Sequence, residues 1–288
     1  MRGVRGIWNS SNKLKIGLLI ILFFVVVAVL NEPIVRMIGR GKDPIETAAY
    51  MPWQLPNRTN WLGTDRYGRD ILALAVKGLA ASLQVGAVAG LISTFIGVLV
   101  AFLAGYKGGR VDSILSGVAD MFLVVPSLPI LIVLSAYVTN LNLFTIGLIL
   151  AIFSWALAAR VIRSQVLSLR TRPYVELAKV NNMGDLEIIF QELVPNLLPF
   201  IAVGFANAVL GSIFALVGLE VIGLGPSNVI DLGLMLNWAI GWGTLSLGMW
   251  PLFVTPIFIL GMLFFAVNLI NIGLEETYNP RLRKVAGA

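Results

Sequence analysis

The chain has 288 residues, 58% of them hydrophobic and only 12% charged, about half the charged share of a soluble domain. It contains no cysteine and no histidine, which excludes disulfides, thiolate or imidazole metal sites, Cys or His nucleophiles and histidine proton relays. A net charge of +6 would suit nucleic acid, but the basic residues flank apolar runs as they do in membrane proteins, so no nucleic-acid binding is expected.

Residues 1–15 form a basic tail with Arg2, Arg5, Lys13 and Lys15 and no acid. Ile16–Leu30 is an unbroken apolar run that can extend to Val35. Its length overlaps that of a secretory signal peptide, but Asn31-Glu32-Pro33 follows it instead of a small-x-small cleavage site, so it reads as an uncleaved first span. Asn31–Gly78 is the long polar segment, kept irregular by Pro33, Pro44, Pro52 and Pro56. Within it, Asn60-Trp-Leu-Gly-Thr-Asp-Arg-Tyr-Gly-Arg-Asp70 places Gly63 and Gly68 among Thr64, Asp65, Arg69 and Asp70, a pattern that predicts a tight turn held by local ion pairs.

A second span is expected over about Leu79–Ala104, where Gly86, Gly90 and Gly97 favour close helix packing. After the polar turn Ala104–Asp112, a third span over about Ser113–Val138 contains Asp120, with Pro126 and Pro129 favouring a kink. The fourth, about Leu143 to Arg163, ends in the basic cluster Arg160, Arg163, Arg170 and Arg172.

Thr171–Pro199 is the longest polar interruption in the second half, and its grammar is two short helices joined by a turn. Thr171 can cap the first helix and Pro173 suits its first turn. Asn182 and Gly184 can take positive φ at the reversal. Asp185 can cap the second helix, whose Leu186, Ile189, Phe190 and Leu193 share one face, and Pro195 is expected to stop it. Such a hairpin reads either as a grip for another protein or as a loop lying on the headgroups. A fifth span follows over Leu197–Leu224, with Glu220 near its end. Gly225–Thr244 is a polar-aromatic loop, and Leu245–Ile270 is the sixth span. Each span is about 20 residues, enough to cross a bilayer at about 1.5 Å per residue.

Charge orients these spans. With the N-terminus inside the cell, the internal pieces carry fourteen of the 21 Lys and Arg, and the short external loops carry none. The other seven lie in Asn31–Gly78 beside five acids. The expected protein is therefore multi-pass in the cell (inner) membrane with both termini cytoplasmic. Residues 1–78 hold the tail, first span and external segment, 79–275 the core with the hairpin at 171–196 inside, and 276–288 the cytoplasmic tail.

Five separated stretches, spread along essentially the whole chain, resemble binding-protein-dependent ABC importer permeases. Thr171–Pro199 is similar to their EAA motif: Glu176, Ala178 and Pro195 match its Glu, second Ala and closing Pro. Leu177 stands at the first Ala, and Asn182 at the Gly, with Gly184 two residues on. Gly63–Asp70 resembles the LGTDxxGRD signature of the dipeptide/oligopeptide/nickel branch. Ala104–Asp112 resembles its AGYxGGxxD pattern, Val221–Pro226 its FLGLG segment and Tyr278–Arg283 its DPRLR ending. The resemblance implies an all-α, polytopic membrane protein of about six transmembrane helices with the type I ABC importer (MetI-like) permease fold. It also implies a second, different permease subunit, two ABC ATPase subunits and an extracellular or periplasmic solute-binding protein, with membrane lipid around them. Glu176, Leu177, Ala178, Asn182, Gly184 and Pro195 would carry ATPase coupling. Di- or oligopeptides are the implied substrate, with oligosaccharides or nickel chelates as alternatives.

The chain lacks a G-x-x-x-x-G-K-[ST] loop; Gly39-Arg-Gly-Lys42 has neither the length nor the Ser/Thr. ATP and Mg would thus be held by partner subunits, and no catalytic, cofactor or metal residue is expected here. An intramembrane hydrolase would need paired carboxylates or a Ser–Lys pair within the spans, and Asp120 has no second carboxylate at matching depth. A secondary transporter would leave the hairpin without a purpose. Asp120, roughly 10 Å inside the boundary at 1.5 Å per residue, needs a partner or water. Pairing with Arg160, or alternatively Arg163, would close the inner end of the pathway beside Pro126 and Pro129. The competing arrangement has Asp120 at the wet interface and Arg160 snorkelling to lipid phosphate.

Overall fold

The computed structural model describes residues 11–137, 142–225 and 228–278. Among them the chain is helical, and the one β-type contact is an isolated bridge between Thr64 and Asp70. The helices are α1 (Asn12–Val29), α2 (Asn31–Gly39), α3 (Ile71–Lys107), α4 (Gly109–Val124), α5 (Ser127–Tyr137), α6 (Leu143–Leu169), α7 (Pro173–Val180), α8 (Asp185–Ile188), α9 (Val194–Val221), α10 (Leu232–Gly241) and α11 (Trp250–Tyr278). Five stretches are long and apolar enough to cross a membrane: Asn12–Val29, Ile71–Lys107, Leu143–Leu169, Asp185–Val221 and Trp250–Thr277. Their outward Leu19, Leu22, Phe23, Leu91 and Phe95 are more than half exposed, the expected state of side chains whose solvent is lipid.

Several expected boundaries move. The polar segment ends at Asp70 rather than Gly78, because Asp70 caps α3: its Oδ1 accepts from Ala73 N–H at 2.9 Å. The second span therefore starts at Ile71, eight residues before Leu79, and the polar stretch itself begins with a helix, α2. The third span is two helices. Val125 is extended (φ −69°, ψ 121°), the conformation a following proline imposes, so Pro126 breaks the helix while Pro129 sits harmlessly in the first turn of α5. The expected polar loop 225–244 contains α10, whose Leu232, Leu234, Met235 and Leu236 are buried, and the sixth span starts at Trp250 rather than Leu245. Most of the Tyr278–Arg283 stretch, and Pro226, lie outside the described residues.

Two compact units divide the chain. The first draws on residues 1–85, 134–143 and 213–288. In it α1 packs antiparallel on α11. A Cβ on Gly17 would sit 2.7 Å from Ala266 O, and one on Gly273 would sit 2.5 Å from Leu14 N, so these two glycines set how closely the helices approach. Ser11 donates to Glu276 Oε2 at 2.8 Å and Lys13 pairs with the same carboxylate, placing the start of α1 beside the end of α11.

The second unit comprises 86–133 and 144–212. Here the C-terminal part of α3 runs parallel to α6. Gly97 lies against Ala158, Ala159 and Trp155, Gly105 against Val166, and Ser93 donates to Ala151 O at 3.3 Å. The buried face of α6 (Gly147, Ala151, Trp155, Ala158, Ile162, Val166) follows the 3/4 period that such packing needs.

Candidate functional site

The polar hairpin is built as the sequence predicts in outline and differently in detail. Pro173 opens α7 at a first-turn position, but the N-cap is Arg172, without a side-chain cap; Thr171 Oγ1 instead donates to Ser168 O. Asn182 takes φ 55°, so it makes the reversal, and Gly184 does not share that work, standing at φ −70° as N-cap of α8. Asp185 follows the cap and accepts from Tyr106 OH at 3.1 Å.

Pro195 does not stop the second helix. A π-turn over Ile189–Leu193 joins α8 to α9 as one continuous helix, Asp185–Val221. A proline has no N–H, and its ring crowds the carbonyl four residues back; widening the preceding turn relieves both. The extra residue in that turn also moves the apolar face. Ile188 and Leu193, five apart, point inward, while Leu186 and Phe190 turn out with 71% and 66% exposure.

Ala178 also faces inward, in a core with Val175, Ile188, Leu193, Ile162 and Val166, so it packs the chain's own interior instead of offering room to a partner. The outward face of α7 is carried by Glu176, Leu177 (62% exposed) and Val180 (77%). No hydrogen bond or ion pair holds the Glu176 carboxylate among the described residues. Each hairpin helix thus presents an uncovered apolar pair, Leu177/Val180 and Leu186/Phe190, one turn apart on its own surface.

Two ion pairs join α4 to α6. Arg160 pairs with Asp120, as the depth argument predicts. Arg163 does not serve as the alternative partner: its Nη2 donates to Asp112 Oδ2 at 2.6 Å and its Nε to Asp112 Oδ1. This fork-to-fork geometry, with Ser116 Oγ also donating to Asp112 Oδ1 at 3.1 Å, holds the Asp112 carboxyl below the usual carboxylate range. The pairs border a cavity of about 140 Å³ lined by Leu115, Ser116, Asp120, Ala159, Arg160 and Arg163. Asp120 and Arg160 are both more than half exposed, so their pair contributes about 0–1 kcal/mol and can open at little cost. The sequence signal for Asp112 was its place in the AGYxGGxxD pattern, which by itself names no partner.

The Gly63–Asp70 stretch folds as a sealed knot. Asp65 Oδ1 accepts from Tyr67 N–H (2.8 Å) and Arg69 N–H (2.9 Å), and its Oδ2 accepts from Arg69 Nε (2.6 Å). Thr64 Oγ1 donates to Met51 O and accepts from Gln54 N–H, while Asp70 Oδ2 accepts from Asn60 Nδ2 at 2.7 Å. Gly63 and Gly68 have positive φ, and a Cβ on either would collide with the carbonyl of Gln54 or Tyr50. The Arg69 guanidinium lies 4.2 Å over the Trp238 ring, which stacks on Trp242.

One buried feature escaped the sequence reading. Glu220, at the end of α9, and Asp231, the N-cap of α10, are 2% and 1% exposed. The Glu220 carboxyl oxygens have no hydrogen-bond partner among the described residues, whereas Asp231 Oδ1 accepts from Leu234 N–H at 2.8 Å. Gly225 and Gly233 leave the space that the Glu220 side chain fills. The sequence offers only two acids eleven positions apart, a spacing with no local meaning.

The chain is similar in sequence to known transport permeases. The Bacillus subtilis (strain 168) dipeptide transport system permease protein DppC is 34% identical over 281 residues, 96% of this chain and 85% of that protein. The oligopeptide transport system permease protein OppC of the same organism is 32% identical over 276 residues (95% and 88%). OppC of Mycobacterium bovis (strain ATCC BAA-935 / AF2122/97) is 33% identical over 236 residues (81% and 79%). Residues 94–284, which include α4 to α11 and the hairpin, match the model of one family, and the chain therefore belongs to the binding-protein-dependent transport system inner membrane components.

Proposed function

We propose that this chain is the transmembrane permease subunit of an ATP-driven importer of di- or oligopeptides, and that the hairpin Thr171–Pro199 docks into its ATPase subunits. The observation that carries the reading is the hairpin's divided surface. One face is packed into the chain's own core, while the other leaves Leu177, Val180, Leu186 and Phe190 uncovered around the free carboxylate of Glu176. Exposed apolar residues gain nothing from water, and set around an exposed carboxylate at a polar turn between spans they suit a protein groove. The peptide substrate is carried over from the relatives' names. Both ends of the first unit's helix pair lie together, at Ser11, Lys13 and Glu276, which fits termini on one side, and the excess of Lys and Arg assigns that side to the cytoplasm. A second, different permease subunit and an external solute-binding protein would complete the assembly, with ATP and Mg held by the ATPases. Asp120–Arg160 and Asp112–Arg163 would form an inner gate beside the break at Pro126.

The test is Leu186→Asp in the chain co-expressed with its ATPase and permease partners. Insertion and thermal stability should change little, since the side chain is exposed. Co-purification of the ATPase, and ATP-dependent uptake of labelled trialanine into proteoliposomes, should both fall at least about tenfold, a loss of one interface anchor. Undiminished co-purification and uptake would remove the docking role. Uptake of nickel chelate or oligosaccharide in place of peptide would replace the substrate and leave the docking role standing.

A further inference from the structure

Resting on that coupling reading, we infer that Tyr106 is the positioning residue that passes the hairpin's movement to the inner ion pairs. Tyr106 is the penultimate residue of α3 and touches both arms of the hairpin. Its hydroxyl donates to Asp185, the first residue of the second arm, at 3.1 Å, and Lys179 of the first arm lies 5.7 Å from its ring centroid. The ring itself packs against the core that holds Val175, Ala178, Ile188 and Leu193. A change in the angle between the arms is therefore felt at one side chain.

What lies beyond Tyr106 is a joint. Lys107 ends α3, and Gly108 and Gly109 follow at φ 68° and 56°, two consecutive residues in a region that side chains rarely adopt. A Cβ on Gly108 would also sit 2.9 Å from Arg170 Nη1. That arginine, two residues before the hairpin's first helix is capped, donates to Gly105 O at 2.8 Å, so the end of α3 is gripped on a second side by the chain entering the hairpin. Past the joint, α4 begins. Its Asp112, at the first turn, and Asp120, two turns further, are the two carboxylates paired with Arg163 and Arg160. The pivot thus has the hairpin on one side and the ion-pair ladder on the other.

The geometry has a mechanical consequence. When an ATPase pair closes and draws the hairpin, Tyr106 carries the end of α3 with it. The glycine joint lets α4 turn against α3, and rotation of α4 changes the separation of Asp112 and Asp120 from their arginines. The weaker, more exposed Asp120–Arg160 pair yields first. Tyr106 touches no substrate in this scheme.

The chain has no cysteine, so a single thiol at Leu115→Cys, in the lining of the cavity beside the ion pairs, reports how open that cavity is. In the assembled transporter, the rate of labelling at this position by an impermeant maleimide is compared with and without ATP and vanadate. Tyr106→Leu should keep insertion and ATPase co-purification but shrink the nucleotide response by roughly two- to thirtyfold, the range of mutations that act on coupling without touching a ligand. Tyr106→Phe keeps the ring and loses only the bond to Asp185, so it should give part of that loss. Asp185→Leu should match Tyr106→Phe, the double variant should be no worse than either, and Asp185→Asn, which still accepts the bond, should behave as wild type. An unchanged nucleotide response in Tyr106→Leu overturns the role of Tyr106 and leaves the coupling reading intact. A wild type whose labelling ignores nucleotide, or which holds no ATPase, sinks both. Additive losses in the double variant would equally overturn transmission through the Tyr106–Asp185 bond.

Discussion

The Gly63–Asp70 knot and the Thr171–Pro199 hairpin are both polar interruptions of an apolar chain, and they treat their polar and apolar groups in opposite ways. In the knot, Thr64, Asp65 and Asp70 are almost wholly buried; the two carboxylates accept from backbone N–H groups, Asn60 Nδ2 and the Arg69 guanidinium, and Thr64 Oγ1 donates to Met51 O, which leaves the buried Asn60 Oδ1 as the oxygen without a partner among the described residues. What Gly63–Asp70 leaves exposed is Arg66 and Tyr67, the latter edge-on to Trp242 beside the Trp238 ring that Arg69 covers. In the hairpin, the buried face is apolar apart from the Tyr174 hydroxyl, while the other face keeps large side chains and a carboxylate without partners among the described residues. A segment that satisfies nearly all of its own buried groups is scaffold: it caps α3 and fixes the Trp238–Trp242 stack. A segment that leaves good binding groups uncovered is built for something else to satisfy. Both resemble family signatures, and the accounting of buried groups separates their roles.

That contrast can be broken most forcefully at Asp65. Asp65→Ala leaves the Arg69 guanidinium buried without its carboxylate and frees the Tyr67 and Arg69 amides, so it should cost about 3–5 kcal/mol. Thermal unfolding in detergent would measure this, and Asp65→Asn should recover part of it by accepting the same N–H bonds. A loss below about 1 kcal/mol would mean the knot is surface decoration and not scaffold.

Asn182 sharpens the comparison on the hairpin side. Because φ is 55°, Asn182→Val should destabilise the reversal by about 1–2 kcal/mol while Asn182→Gly should be neutral or slightly stabilising. The same ranking should appear in ATPase co-purification, since the turn sets the angle between the arms. Equal stability for Val and Gly would show that the turn geometry is not under the control of this residue.

The smallest effect is expected at Asp112. Its folded-state carboxyl is held below the ordinary range by Arg163, so its contribution is fully present above the unfolded carboxylate pKa and is lost as pH falls through the folded value. With the carboxylate partly exposed, the total is within about 1 kcal/mol. Asp112→Asn should lower the neutral plateau of a stability–pH curve by up to that amount, converge with wild type in acid and so flatten the acid-side slope. An unaltered slope would show the pair to be worth nothing.

Some of this was legible from residues alone, and the reasons are local. Runs of apolar residues located the five long helices, because the cost of leaving a backbone polar group unpaired in lipid allows little else. Pro173 at a helix start and Asn182 at a reversal follow from the conformations those residues prefer. The Asp120–Arg160 pair followed from depth, since two short-looped neighbouring spans bring equal depths together. Other features depend on how one helix is rotated or widened, which composition does not encode. Whether Pro195 ends a helix or is absorbed by a π-turn depends on what the widened turn packs against, here the core around Ile162 and Val166. That choice decided which of Ile188, Ile189 and Phe190 faces out. The assignment of Arg163 to Asp112 rather than Asp120 was set by the rotation of α4 against α6, and the meeting of Glu220 with Asp231 by the return of α10 onto the end of α9. A period or a preferred φ is a property of the nearest few residues and is written in them; a pairing between distant side chains exists only once the helices carrying them have packed.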